Sequence, residues 1–526
     1  MKRIITVTLF AYAVLAGCGS PSTPTTSKEN ITPRNRTITP GNAYNDLFLD
    51  STIVADFIVK QHLDDTTANR LRSFYNARNF EFAWLDSNGP TEQASAFRSL
   101  YNYSKDSISS KALDVQLNAL MEEDSLHISA SDPAIIKTEL QLTWRLIAYF
   151  RETTASVAEM EHMVLMQKYP VMQLADSMLK TDDKMYPAVA VMKGPLKAYR
   201  DYVEKGGWPA VTATRKAIKK GMSSPIIIPV KKRLFITGEL KNNDTTDVFT
   251  AELETAVNAF RNSHGYTQNG VINDTVINAM NVPAEVRVQQ LLINMERMKW
   301  MPVAPKGKLI LVNIPAFVLH VTDEGKKLFD MDIVVGKEGH STTMFSGQLN
   351  QVVFSPYWNI PRSIVRKEIL PGMQRNKHYL ADKNMEITGE ANGLPVVRQR
   401  PGGKNALGRV KFLFPNSYHI YFHDTPEKGL FSRDNRAYSH GCIRLKDPVK
   451  MAQFVLEDSP VWTNEKIDSA MNSGKEKFVG LKHPVPVIIT YFTAWVDDQQ
   501  VLHFAQDVYG HDAVMKTKMF QEGSAD

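Results

Sequence analysis

The sequence predicts a multidomain α+β protein, with a helical front, a small helical unit and a β-rich back. Three observations carry this expectation. The chain has 526 residues, of which 43% are apolar, enough for two to four domains with cores of their own. Up to about residue 300 the apolar residues recur at near-helical spacing. After Trp300-Met301-Pro302 the spacing shortens to strand alternation.

The first residues are read separately from the fold. Lys2-Arg3 precedes an apolar run from Ile4 to Gly17, which ends in Leu15-Ala16-Gly17-Cys18. Fourteen residues are too short to span a bilayer, which needs about 20, so residues 1–17 read as a secretory signal. The Leu-Ala-Gly-Cys box resembles the bacterial lipoprotein signal, which makes Cys18 the expected lipid anchor. The following stretch to Gly41 is rich in Ser, Thr, Pro and Asn. Residues 18–43 are therefore expected to be a lipidated cysteine and an extended tether.

Residues 44–229 carry the helical pattern, as in Ala68–Ala77 and in Ile135–Thr153, where Leu140, Leu142, Leu146 and Ile147 recur. Ser73–Leu85 reads as an amphipathic helix leading into an aromatic packing cluster. His62, His127 and His162 are isolated and read as surface or packing residues. Within 230–299, Leu253, Ala256, Val257 and Phe260 form one helix face, with Gly265 at its C-terminal end. Asn269-Gly270 marks a turn, and Asp274 is the expected cap of a second helix running to Met280.

The third part, 300–495, reads as strands. Lys308–Ile314 pairs with Val318–Thr322, followed by Met331–Val335 and Gln351–Ser355. Arg409–Phe414 and Tyr418–His423 form a further hairpin around Pro415-Asn416-Ser417. Asp447-Pro448 opens a helix through Leu456. Residues 361–400, with Pro361, Pro371 and Pro395, interrupt the strand pattern. Residues 496–526 are a C-terminal segment without an assigned role.

A net charge of +6 on this length is mild and does not suggest nucleic acid. Cysteine usage is more informative. Only two cysteines occur, and with Cys18 acylated, Cys442 has no partner for a disulfide. An unpaired thiol in an exported protein is a liability unless its reactivity is used. Three readings compete. A zinc site could draw on His419, His423, His440 and Cys442. On a strand, however, His419 and His423 would lie about 13 Å apart, too far for one ion. Cys442 could be inert and packed under a loop, but Ser439, His440, Gly441 and Arg444 around it are poor company for an apolar pocket. In the third reading Cys442 is a nucleophile and His423, at a strand end, is its base. Gly441 then allows close backbone approach, with N–H groups available to an oxyanion. No metal and no cofactor are expected.

His423, a gap of under twenty residues, and Ser439-His440-Gly441-Cys442 resemble the L,D-transpeptidases, β-sandwich cysteine enzymes that cross-link peptidoglycan stems. "VVGK" (334–337), "FSPYWNIPRSIVRKEILP" (354–371), "RQRPGGKNALGRVKFLFPN" (398–416) and "YFTAWVDDQQVLHFAQDVYGHD" (491–512) are similar to the large, envelope-anchored Gram-negative members. "AVNAFRNSHGYTQNGVINDTVINAMN" resembles the small three-helix peptidoglycan-binding domain. The resemblance implies a capping subdomain at 361–400 and 3→3 cross-linking through a thioester on Cys442. It implies peptidoglycan stem peptides and glycan as partners, an anchored location facing the periplasm, and possible contacts with other wall-synthesis proteins. Many members place Asn two residues after the cysteine. Here Arg444 stands there, so the Asn's role is not carried over. Arg444 becomes a candidate for a substrate carboxylate or for stabilising the thiolate. His440, Gly441 and Ser439 are expected to shape the oxyanion turn, and Tyr357, Trp358 and Tyr421 to wall the pocket. Between 396 and 450, eleven Lys/Arg stand against four acids, which suits an anionic stem. Hydrolysis of the same acyl-enzyme, as an L,D-carboxypeptidase or peptidase, is the alternative within enzymes. A non-catalytic wall-binding lipoprotein is the alternative outside them.

Overall fold

The computed structural model describes residues 31–104, 111–122, 128–151, 157–161, 163–184, 186–212, 216–302 and 306–521. Cys18, the signal segment, His127 and His162 lie outside them. No helix among the described residues is long and apolar enough to cross a membrane.

The helices of the front begin where side-chain acceptors can satisfy their first N–H groups. Asp50 accepts from Thr52 N at the start of Ser51–Lys60, and Asp64 from Thr67 N at the start of Asp65–Ala77. His62 lies exposed just past the first helix. The expected aromatic cluster is present: Phe74, Phe82 and Trp84 are fully buried, and Trp84 stacks on Phe97 with ring centroids 5.2 Å apart. Glu139 is buried at its centre, accepting from Ala83 N (2.6 Å), Trp84 N (3.0 Å) and the Tyr75 hydroxyl (3.1 Å). Burial pushes its carboxyl up to about 7.

Three expectations of organisation are corrected. The tether stops short of residue 43: Ile38 and Ala43 are buried with Ala77 and Met166, and Asn35 N donates to Asn76 O at 2.8 Å. Two apolar side chains in a polar stretch suffice to dock it. In the small unit, helices Ile227–Thr237, Ala251–Ser263 and Asp274–Met280 share a core of Val230, Leu234, Leu253, Val257, Phe260 and Ile277. The third helix is capped by Asn273, which accepts from Val276 N, so Asp274 sits in the first turn. Helix Ala284–Met298, placed in this unit by its sequence, instead buries Leu291, Leu292 and Met295 with Leu174, Leu196, Phe504 and Met519. Finally, Ala494–Val496 pairs with Leu502–Phe504, so a boundary at 495 would cut a hairpin.

The sheet-rich part consists of β1 (Leu309–Asn313), β2 (Val318–Asp323), β3 (Lys326–Gly336), β4 (Ser346–Phe354), β5 (Val410–Leu413), β6 (Phe422–His423), β7 (Ala437–Ser439), β8 (Ile443–Leu445) and β9 (Lys477–Thr490). Their spatial order is β7-β3-β8-β6-β5-β4-β9-β1-β2, and β2 also pairs with β3. The sheet thus wraps round one core that includes Ile310, Val352, Phe412, Phe422, Ile443 and Val487. Strands form over all four predicted segments of 308–355, but those expected from Met331 and from Gln351 start earlier, at Lys326 and Ser346. The 418–423 strand does not: only Phe422–His423 pairs with β5, and His419 lies in the left-handed region at φ 55°. The strand premise behind the His419–His423 spacing therefore fails, because the turn consumes residues 414–421.

Between β4 and β5, the chain forms short helical turns from Arg362 to Asp382, including a π-helical stretch Val365–Ile369. Strands Met385–Ala391 and Leu394–Gln399 follow, the second pairing with Trp358–Asn359. This insertion has its own small core of Ile360, Ile364, Val365, Ile369 and Val397.

Candidate active site

Strands β6 and β8 run parallel in register Phe422↔Ile443 and His423↔Arg444. Side chains alternate across a sheet, and Phe422 and Ile443 are fully buried in the core. The same alternation therefore places Tyr421, His423, Cys442 and Arg444 together on the opposite face. Lys411 faces His423 across β5 and joins them. Its role was not legible in the sequence, where nothing distinguishes it from its basic neighbours.

His423 is 4% exposed, and its Nδ1 lies 2.5 Å from the Asp424 carbonyl. A carbonyl can only accept, so Nδ1 carries the hydrogen and Nε2 is left with its lone pair. This is the tautomer a general base needs. Burial, and then the Arg444 charge, push the imidazole down to about 3. Asp424 is itself locked: its carboxylate accepts from Arg409 N (2.9 Å), Thr425 N (2.7 Å) and Lys428 Nζ (2.8 Å). Gly408 leaves the room, since a Cβ there would meet Asp424 Oδ2 at 2.3 Å.

Cys442 is half-buried and free. Burial pushes its thiol up to about 11, against the lowering effects of the Tyr421 backbone and side-chain hydrogen bonds and of Arg444. The resting pair is thus neutral thiol and neutral imidazole. Cys442 Sγ lies 3.6 Å from the His419 carbonyl oxygen, the acceptor of its thiol, so the S–H must turn from there to reach a base.

The turn before Cys442 differs from expectation in one respect. Ser439 Oγ–H donates to Cys442 O at 2.5 Å, and Gly441 N–H donates to Ser439 Oγ at 3.1 Å. The Gly441 N–H is therefore committed inside the turn, to a hydroxyl three residues before Cys442. Gly441 keeps its conformational role, at φ 105°. His440 points out to the insertion: Nε2 lies 3.1 Å from Glu368 Oε1, and its ring is 5.1 Å from that of His340.

Arg444 pairs with the Glu427 carboxylate. Tyr421 lies beside His423, with ring centroids 5.8 Å apart, and its hydroxyl is held well above its ordinary value by burial and then by the neighbouring Cys442. Tyr357 sits at the rim, its carbonyl 3.4 Å from Lys411 Nζ and its ring under Arg398 at 4.2 Å. Trp358 packs on the core of the insertion. Much of the local positive charge is paired: Arg398 and Arg400 with Glu386, Arg436 and Lys446 with Asp332.

Residues 307–463 match the family model of the L,D-transpeptidase catalytic domain, and residues 69–196 match that of a scaffold domain. A Haemophilus influenzae protein named as a candidate L,D-transpeptidase is 30% identical over 239 residues, which is 43% of this chain and 48% of that protein. The chain thus spans about half the length of this curated relative. Among solved structures, an L,D-transpeptidase from Mycobacterium smegmatis is similar at 15% identity over 35% of this chain and 58% of that one, with TM-score 0.20. One from Xylanimonas cellulosilytica is similar at 13% identity over 53% of this chain and 100% of that one, with TM-score 0.17. Such low TM-scores add no weight. Residues 307–463 are thus similar in sequence to the catalytic domain of the L,D-transpeptidases.

Proposed function

We propose that this chain is a peptidoglycan L,D-transpeptidase that forms 3→3 cross-links through a thioester on Cys442. The observation that carries the reading is the β6/β8 register, which gathers Tyr421, His423, Cys442 and Arg444 on one face. The family match of the domain around them supports it. His423 Nε2 takes the thiol proton as Cys442 Sγ attacks the carbonyl between the third stem residue and its terminal D-Ala. The imidazolium returns that proton to the D-Ala amine as the C–N bond breaks, leaving the thioester. A side-chain amine of a neighbouring stem then attacks the thioester. His423 receives the amine proton, and the thiol is restored.

Because both partners rest neutral, proton transfer accompanies attack rather than preceding it. Arg444 and Tyr421 stabilise sulfur as charge develops on it. The insertion over 361–400 acts as the cap that keeps water from the thioester. Cys18, acylated, holds the protein on a membrane of the cell envelope, facing the periplasm, and the small helical unit contacts glycan.

Incubation of the full chain with tetrapeptide-bearing muropeptides tests the reading, with products weighed by mass spectrometry. Cross-linked dimers are the expected product. Tripeptides alone would replace transpeptidation by L,D-carboxypeptidase hydrolysis, and no turnover would leave a wall-binding lipoprotein. Labelling with an alkyne fatty acid tests the anchor: the label should vanish in Cys18→Ser, and its persistence would refute lipidation there.

A further inference from the structure

The C-terminal segment lies beyond the matched catalytic residues, yet one of its side chains reaches the back of the Cys442 turn. Tyr509 Oη–H donates to Gly336 O at 2.6 Å and accepts from Thr342 N at 3.3 Å. Thr342 is 2% exposed, and its hydroxyl is fully used: it accepts from Gly336 N at 3.0 Å and donates to Gly441 O at 2.8 Å. The direction of the last bond is fixed, because a carbonyl only accepts. Tyr509 is itself held, its N–H donating to Tyr491 Oη at 2.8 Å, while that hydroxyl donates to Asp507 Oδ1 at 2.7 Å. The packing under the turn is tight. A Cβ on Gly336 would meet His340 O at 2.0 Å and Gly441 Cα at 3.1 Å.

We propose that Thr342, braced by Tyr509, is a positioning residue that aims the Cys442 backbone N–H at the oxyanion of the tetrahedral intermediate. The argument is peptide geometry. In a trans peptide the C=O and the following N–H point in opposite directions, and there is no cis bond among the described residues. Pinning Gly441 O on Thr342 therefore turns the Cys442 N–H away from the 336–342 loop. That N–H has no protein acceptor among the described residues, whereas the Gly441 N–H is spent on Ser439. The clamp thus orients an unspent donor of the turn, the one on the nucleophile itself. A donor preorganised where charge develops lowers the barrier to acyl transfer and leaves ground-state binding nearly unchanged.

This inference rests on the proposed acyl transfer at Cys442, and the experiment separates the two. Full-length wild type, Thr342→Ala, Thr342→Ser and Tyr509→Phe are acylated by a carbapenem, with the rate at saturation and the half-saturating concentration measured separately. The same proteins are alkylated with iodoacetamide, a reaction that builds no oxyanion. Thr342→Ala should lower the saturating acylation rate about 10- to 100-fold, below the roughly 10²–10³ for outright loss of an oxyanion donor. Tyr509→Phe should lower it less, and Thr342→Ser should retain it. Half-saturation and alkylation should stay near wild type. A parallel fall in alkylation and acylation would reduce the clamp to general support of the fold and overturn the inference. An unchanged acylation rate in Thr342→Ala would overturn it too. Wild type that takes up no carbapenem, or takes it up equally as Cys442→Ala, would refute the acyl-transfer reading, and the inference with it.

Discussion

At the scale of single residues, the division of labour between the two histidines is the sharpest consequence of the geometry. His423 has a bare Nε2 because its Nδ1–H is spent on Asp424 O. His440 faces Glu368. Replacing His423 with Ala should lower carbapenem acylation by about 10²–10⁴, the usual worth of a general base. His440→Ala should cost less than tenfold in the same mass-spectrometric assay. The reverse order would exchange their roles. The depressed imidazole also makes a pH prediction. With a folded value of about 3 against about 6.5 unfolded, the unfolded chain binds the extra proton between those limits. The stability from neutral His423 is therefore complete above about 6.5 and drains as pH falls toward 3. Wild type should lose melting temperature more steeply than His423→Gln between pH 7 and 4. Acylation should show no inflection near 6.5, since the base is already neutral there. Parallel melting curves, or such an inflection, would contradict the burial argument.

At the scale of elements, the insertion over 361–400 stands apart, because its core of Ile360, Ile364, Val365, Ile369 and Val397 is separate from the main one. Its visible side-chain link to the Cys442 turn is Glu368–His440, from the π-helical stretch Val365–Ile369. A polar contact this exposed is worth about 1 kcal/mol or less, weak enough for opening and closing. Replacing the insertion with a short Gly/Ser loop should leave acylation within about tenfold. It should shift muropeptide products from dimers toward tripeptides, as water reaches the thioester. An unchanged product ratio would remove the insertion from water exclusion.

For the whole molecule, the scaffold, helix Ala284–Met298 and the C-terminal helix His511–Met519 meet at one buried cation. Arg297 is bonded to Glu92 (2.5 Å) and to Asp512 (2.5 Å), and Asp512 also accepts from Thr493 Oγ1 at 2.5 Å. Removing only the cation strands two nearly buried carboxylates, at a cost of about 3–5 kcal/mol. Arg297→Met should therefore lower the melting temperature clearly. The combined Arg297→Met, Glu92→Gln, Asp512→Asn variant should recover most of the loss, as judged by calorimetry. A single variant as stable as wild type would mean that the junction is held by its apolar contacts alone.

Sequence alone determined what depends on near neighbours. Helix periodicity located Ala251–Ser263, the Asp447-Pro448 start located Pro448–Leu456, alternation located β1 to β4, and the spacing from His423 to Ser439-His440-Gly441-Cys442 put forward a candidate base and nucleophile. The helix and strand signals lie within a few residues of one another, where backbone geometry fixes the outcome, and the His423–Cys442 motif within twenty. Tertiary structure decided whatever depends on register between distant segments. Thr342 bonds Gly441 from 99 residues away, and Tyr509 reaches Gly336 across 173. Lys411 acquires its place from β-pairing, and Arg444 its partner from a loop that folds back. The tether was misjudged for the same reason: Ile38 and Ala43 look like isolated apolar residues until Ala77 and Met166 arrive to cover them. The Gly441 N–H, expected to be open to a substrate, is spent on Ser439 because a hydroxyl's orientation, which no residue pattern encodes, settles which N–H is taken.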